Sequence, residues 1–198
     1  STLVGDKAVV HVDGRDVQYI IALDKTTGKT VWKTLRSLEY SKFPVHHRKA
    51  YSMPALVPRG QGKQLVSPAG RGLYAYDPKT GKELWYVRHR GWSVAPRPVS
   101  GHGLVFATVD RDRPELWAIR LDGKGDVTDT HIEWKSIRSM PQRCSPLLVG
   151  DLLFVVNRGG IASCLEAKTG EVVWKERLKG VYSASPIYAE GQIYLFNE

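Results

Sequence analysis

Cysteine is nearly missing from this chain: among 198 residues there are only Cys144 and Cys164. Two thiols are too few for a disulfide framework, and their spacing matches no metal-binding motif. Long apolar runs are missing as well. No stretch approaches the ~20 apolar residues a membrane-spanning helix requires. No signal-peptide pattern is visible, and Ser1 opens directly into a strand-like segment. Helical periodicity is the third absence, since no apolar pattern of period 3.6 lasts beyond two turns. These absences exclude a disulfide-knit scaffold, a bundle of membrane helices and a helical repeat array.

What the chain does have is a repeat. A tight-turn motif leads to a tryptophan in Asp24-Lys-Thr-Thr-Gly28 to Trp32, Asp77-Pro-Lys-Thr-Gly81 to Trp85 and Glu166-Ala-Lys-Thr-Gly170 to Trp174. A looser copy runs from Ile119-Arg-Leu-Asp-Gly123 through an insertion to Trp134. The tryptophans stand 53, 49 and 40 residues apart, a period that belongs to propellers or helical arrays. A second anchor opens each unit: Pro54, Pro98, Pro146 and Pro186 each lead into a short apolar run. The runs are β-branched and aromatic, with turn residues every 8–12 positions, which is the pattern of an all-β protein.

Each unit therefore reads as four antiparallel strands. In the fourth unit these are A (146–149), B (152–156), C (161–165) and D (172–175), with D carrying the tryptophan. Gly28, Gly81 and Gly170 supply the positive φ that the tight C–D hairpin demands. Trp32, Trp85, Trp134 and Trp174 read as blade-docking residues, each burying roughly 150–250 Å² against the next sheet. The blades are expected at about 1–36, 50–88, 92–136 and 142–178, with the start of a fifth at 182–198. The expected architecture is a β-propeller section, an incomplete arc of about four and a half blades. It is to be completed by missing blades or another chain, with a compact four-bladed closure as the alternative.

The Pro-led strand, the Ala-x-Asp-x-x-Thr-Gly turn and the tryptophan after it resemble the pyrroloquinoline-quinone-type (quinoprotein-like) propeller repeat. Ala22-Leu-Asp24 through Trp32 and Ala75-Tyr-Asp77 through Trp85 carry that resemblance best. The family holds quinoprotein alcohol dehydrogenases, a propeller lipoprotein of the outer-membrane β-barrel assembly machinery, and many exported bacterial proteins, planctomycete ones among them. Membership implies a periplasmic, cell-envelope or secreted location. The motif reports how blades pack and is silent on chemistry.

Strand order divides the turns between two faces. The A–B and C–D turns share the bottom, where Lys25, Lys29, Lys79, Lys82 and Lys168 recur with the motif among acids. The B–C and D–A loops share the top, and most of the arginine falls there without following the repeat. With a net charge of +9 from 29 basic and 20 acidic residues, this face is expected to attract anions. Its nominated binding residues are His46, His47, Arg48 and Lys49 in one loop and Arg88, His89, Arg90 and Trp92 in the next. Arg143, Arg158 and Tyr182 complete the set, with Arg71, Arg111, Arg113, Arg138 and Tyr51 on the same face. Guanidinium groups pair carboxylates and sulfates in bidentate fashion, and neighbouring aromatics stack on flat surfaces. The expected partner is an acidic protein or an anionic polysaccharide; nucleic acid is disfavoured because no nucleic-acid-binding module is present.

The function expected is non-catalytic binding or scaffolding, without a cofactor. The alternative is part of a quinone- and calcium-dependent dehydrogenase whose catalytic residues lie outside this chain, because no adjacent cysteines and no acidic cluster with a catalytic base are visible. Asp122, Asp126 and Asp129 read as a polar turn ahead of a Ca²⁺ loop, their spacing matching none. His46 and His47, as neighbours on an extended strand, would point to opposite sides and make a poor metal pair. With Cys144 on strand A and Cys164 on strand C, about 9–10 Å apart at ~4.8 Å per strand step, both thiols are expected to be free.

Overall fold

A computed structural model describes all 198 residues, and its regular structure is almost entirely β. The first sheet consists of β1 (Thr2–Val4), β2 (Lys7–Asp13), β3 (Gln18–Asp24) and β4 (Thr30–Leu35). The second consists of β5 (Ala55–Arg59), β6 (Gly62–Ala69), β7 (Gly72–Tyr76) and β8 (Glu83–Arg88). β9 (Val99–Gly101), β10 (Leu104–Val109), β11 (Glu115–Arg120) and β13 (Ile132–Ser136) form the third, with β12 (Gly125–Asp126) lying between the last two in sequence. The fourth is β14 (Leu147–Val149), β15 (Leu152–Val156), β16 (Ile161–Glu166) and β17 (Val172–Arg177). A two-stranded sheet of β18 (Ile187–Ala189) and β19 (Gln192–Tyr194) follows.

Every four-stranded sheet pairs its strands antiparallel in chain order. The first strands, β1, β5, β9, β14 and β18, abut one another in succession and line the inside of a fan. This is a β-propeller arc, and it is open. Its core is divided among the gaps between blades. One apolar cluster joins blades 1 and 2 around Ile20, Leu65 and Tyr74. Others join blades 2 and 3 around Trp85 and Val105, and blades 3 and 4 around Phe106 and Leu153.

The tryptophans hold these gaps closed. The Trp32 indole donates to the carbonyl of Pro78 at 3.3 Å, and that of Trp134 to Ala167 at 3.0 Å. Both acceptors are the second residue of the next blade's C–D turn. The turn itself is preorganised: the Asp77 carboxylate accepts from Lys79 N–H, Thr80 N–H and the Thr80 hydroxyl. Gly81 and Gly170 close their turns at φ 74° and 75°. A Cβ on Gly81 would fall 2.4 Å from the Trp32 ring, and one on Gly170 2.6 Å from Trp134. Glycine is therefore required twice at each, by the backbone and by the indole lying on it.

The third blade, whose turn departs from the motif, uses a substitute. Trp85 donates to Gln64 Oε1 at 2.9 Å, and the Gln64 amide passes the bond on to the Leu121 carbonyl at 2.9 Å. Both side chains are fully buried. The insertion after Gly123 does not stay on its own blade. β12 pairs in parallel with β8, adding a fifth strand to blade 2, and Asp126 bridges Arg88 at 3.0 Å.

Blades 1 and 2 also share a buried ionic knot. Arg36 makes a two-pronged bond to Asp13 at 2.9 and 2.7 Å and reaches the Ser67 hydroxyl at 3.0 Å. Burial opposes its charge, and the Asp13 carboxylate more than compensates, holding the guanidinium protonated.

Cys144 corrects the expected register: it precedes β14 in the connection from blade 3, packed beside Val156, Ala162 and Tyr182. Cys164 lies on β16. Both thiols are free and buried, and burial raises them above the ordinary range. Alkylation without reductant, read by intact mass, should label neither thiol quickly in the native protein and both in denaturant.

Trp174 is 41% exposed where Trp32 is 9% exposed, since no complete blade covers it. Trp32→Ala should therefore cost roughly 3–5 kcal/mol in urea unfolding and Trp174→Ala about 1 kcal/mol. Equal losses would show that the indoles do not act through the following blade.

Candidate functional site

The top face is divided by a strap. The long connection between β4 and β5 carries two short 3-10 turns, Tyr40–Lys42 and Val45–Arg48, and folds over the B–C turn of blade 2. Tyr40 donates its hydroxyl to the Gly70 carbonyl at 2.6 Å. A Cβ at Gly70 would lie 2.4 Å from the His47 carbonyl, so the strap lies flat on this turn. Several nominated binding residues turn out to build the strap. Arg48 spends its guanidinium on the carbonyls of Phe43, Ser41 and Arg15 at 2.9, 3.2 and 3.3 Å. Lys49 fixes the next loop through its carbonyl, which accepts the Ser93 amide at 2.9 Å.

His46 and His47 do not diverge as strand neighbours would. Their 3-10 turn brings the rings to 4.2 Å, and each lies 5.2 Å from Trp92. Arg71 hydrogen-bonds the His47 ring and the Arg90 carbonyl. Partial burial and the Arg71 charge push His47 below the ordinary imidazole range. Trp92 is thus a lid for two imidazoles.

Three further nominated residues are engaged within the chain. Arg88, at the outer edge of blade 2, is paired with Asp126. Tyr182 is buried beside Cys144 and donates its hydroxyl to the Lys179 carbonyl at 3.0 Å. His89 is buried edge-on to Trp117, and its Nδ1 accepts the Gly91 amide at 3.1 Å. The sequence shows a histidine between two arginines in a loop. Only the tertiary structure shows that it turns inward while Arg90 stays exposed.

What the strap leaves open is the junction of blades 3 and 4. Here Arg111, Arg143 and Arg158 line a cleft of about 620 Å³ together with Tyr51, Ser93 and Gln142. A second cleft of about 640 Å³ continues outward past Arg113, Asn157 and Ile137, sharing Gln142 and Arg158 with the first. Tyr51 leads into the innermost strands and Ile137 follows the outermost strand of blade 3, so the combined groove is radial. Arg111, Arg113, Arg143 and Arg158 are all exposed, and none bonds a side chain or carbonyl of its own chain. Asp112 contributes the one carboxylate of the inner cleft.

The backbone around the groove is unusual. Ser93, Asp110 and Ser139 hold positive φ values of 52°, 71° and 64°. Such conformations cost energy and cluster at functional sites. Gly91 lets this happen: a Cβ there would sit 2.4 Å from the Asp110 amide, so the loops of blades 2 and 3 lock together beside the groove.

The bottom face supplies a contrast. A larger cleft of about 890 Å³ is lined by Arg59, His102, Arg120 and Lys168. These cations are already engaged. Arg120 pairs with Glu133 and Asp122, Lys168 and His102 face Asp151, and Arg59 donates to the Gly123 carbonyl. Free charge rather than volume distinguishes the two clefts.

Fold and repeat together define a quinoprotein-type β-propeller. The chain belongs to the family described as outer membrane protein assembly factor BamB, whose profile matches residues 16–135 and 115–198. No curated protein matches it at a significant level. Among solved structures it is similar to BamB from Moraxella catarrhalis, at 16% identity and a TM-score of 0.57, covering 98% of this chain and 58% of that one. It is also similar to quinohemoprotein alcohol dehydrogenase from Comamonas testosteroni, at 12% identity and a TM-score of 0.60, covering 98% and 38%. The Swd1 β-propeller domain from Myceliophteria thermophila matches at 18% identity and a TM-score of 0.58, covering 94% and 57%. The chain thus spans well under two thirds of these structures, and the likeness is one of fold.

His11 and His89 are both pushed down to about 4 by burial. The unfolded chain takes up their protons near pH 6.5 and the folded one does not. Their stabilising effect is complete above pH 6.5 and is lost as pH falls toward 4, at up to about 1.4 kcal/mol per unit for each. His89→Asn, whose amide can still accept the Gly91 N–H, should shallow this slope in urea titrations from pH 7.5 to 4.5. An unchanged slope would mean that His89 titrates as an exposed residue.

Proposed function

We propose that this chain is a non-catalytic scaffold propeller of the cell envelope that binds an acidic segment of a partner protein across its basic top face. One observation carries the reading. Arg111, Arg143 and Arg158 converge on a single cleft with no partner of their own. Unpaired guanidiniums on loops held by a rigid frame are poised for bidentate carboxylates. A protein is favoured over a polysaccharide because sugar recognition leans on exposed aromatic faces. Tyr182 is buried and Trp92 is covered by His46 and His47, which leaves Tyr51 alone in the cleft. The envelope location follows the family, whose description concerns outer-membrane assembly.

The quinone-dependent alternative places its catalytic residues outside this chain, and the residues present do not make its site by themselves. No three His, Cys, Asp or Glu side chains gather as metal ligands, and both cysteines are free and buried. These donors do not fit a quinone–calcium site, so no chemical step is assigned.

The test is binding of a fluorescein-labelled poly-glutamate peptide, followed by anisotropy at 50 and 300 mM salt. Affinity should fall with salt. The Arg111→Ala/Arg143→Ala/Arg158→Ala variant should lose roughly tenfold or more and unfold at the same urea midpoint. Unchanged affinity in the variant would reject the proposed face. Tighter retention of a sulfated polysaccharide, lost in the same variant, would move the reading to a glycan. An absorbance shift on adding quinone and Ca²⁺ would revive the dehydrogenase.

A further inference from the structure

Resting on the acidic-partner reading, we infer that the groove between blades 3 and 4 takes an extended peptide whose acidic residues lie toward the propeller axis and whose apolar residue sits at the rim. The two clefts are one path, because Gln142 and Arg158 line both. The inner half is cationic, with Arg111, Arg143 and Arg158. The outer half changes character. Past Arg113 it reaches Ile137, a large apolar side chain that is 67% exposed beside the charged cleft. Its buried neighbour Met140 forms the floor.

The middle of the path suits a polypeptide backbone. An extended chain presents N–H and C=O groups on both sides and needs partners that both donate and accept. The Gln142 amide does both and makes no side-chain hydrogen bond within the chain. The Asn157 amide uses its oxygen on the Ile161 N–H at 2.9 Å and keeps its NH₂ donors for the groove. A sulfated sugar polymer has no use for an apolar rim. An acidic helix would bury its backbone groups and leave Gln142 and Asn157 unmatched.

The loops that form the groove are fixed in advance. Ser93 and Ser139 hold their positive φ at its two ends, and the Arg158 carbonyl is tied to the Tyr182 amide at 3.1 Å. A preorganised groove loses less entropy on binding than a mobile one.

The experiment uses two labelled hexapeptides, Glu-Asp-Glu-Asp-Gly-Leu and the same peptide ending in serine, each also made with its sequence reversed. The full chain is compared with Ile137→Ser and with the triple arginine variant. In one chain direction the leucine peptide should bind roughly tenfold tighter than its serine counterpart. Ile137→Ser should erase that difference and leave the serine peptide unaffected. Its exposure makes the substitution harmless to folding, and an unchanged urea midpoint checks this. If leucine and serine peptides bind alike, or Ile137→Ser weakens both equally, the rim assignment is overturned while the acidic reading survives. If the triple arginine variant binds every peptide like the parent, the acidic reading itself falls.

Discussion

Everything in this molecule depends on an indole resting on a glycine turn. The gaps between blades 1 and 2 and between blades 3 and 4 are sealed where a tryptophan of one outer strand lies over the C–D turn of the next blade and donates to a turn carbonyl. The contact unites three requirements: a large apolar surface removed from water, a satisfied indole N–H, and a backbone conformation open to glycine. Because each contact joins one blade only to the next, the fold is close to one-dimensional, and its stability accumulates gap by gap. Trp174, with no complete blade to cover it, shows what the contact is like when half of it is missing.

The place where the repeat fails is equally instructive. Blade 3 lacks the Asp-x-x-Thr-Gly turn, yet Trp85 is the most deeply buried of the four docking tryptophans. Gln64 relays its hydrogen bond to the Leu121 carbonyl, and the inserted segment adds a strand to blade 2. A buried donor must be satisfied by something. When the usual acceptor is displaced, a neighbouring amide takes its place.

Function divides from fold along the strand axis. Bottom turns are committed to docking, and the cations of the bottom cleft to local partners. On top, the connection after blade 1 straps blade 2 with Arg48, Tyr40 and the His46–His47–Trp92 stack, and the buried Arg36–Asp13 pair anchors it below. The free charge is thereby concentrated between blades 3 and 4. Family and fold fit a scaffold or binding role for such a propeller. The unpaired guanidiniums are the feature on which the proposed acidic partner rests.

Much of this was legible in the sequence. The spacing of Trp32, Trp85, Trp134 and Trp174, the prolines before each first strand and the Thr-Gly turns determined an all-β propeller with four strands per blade. They also determined which face collects the arginines. Such features are local: a turn's φ, a strand's alternation and a motif's period are properties of adjacent residues. What the tertiary structure decided was which of the top-face residues remain available. Arg48, Arg88, His89 and Tyr182 looked equivalent to Arg143 and Arg158 along the chain. They differ because carbonyls, a carboxylate and apolar surface from distant segments reach the first group and not the second. A charge is free only in relation to what folds against it, and that relation is absent from linear order.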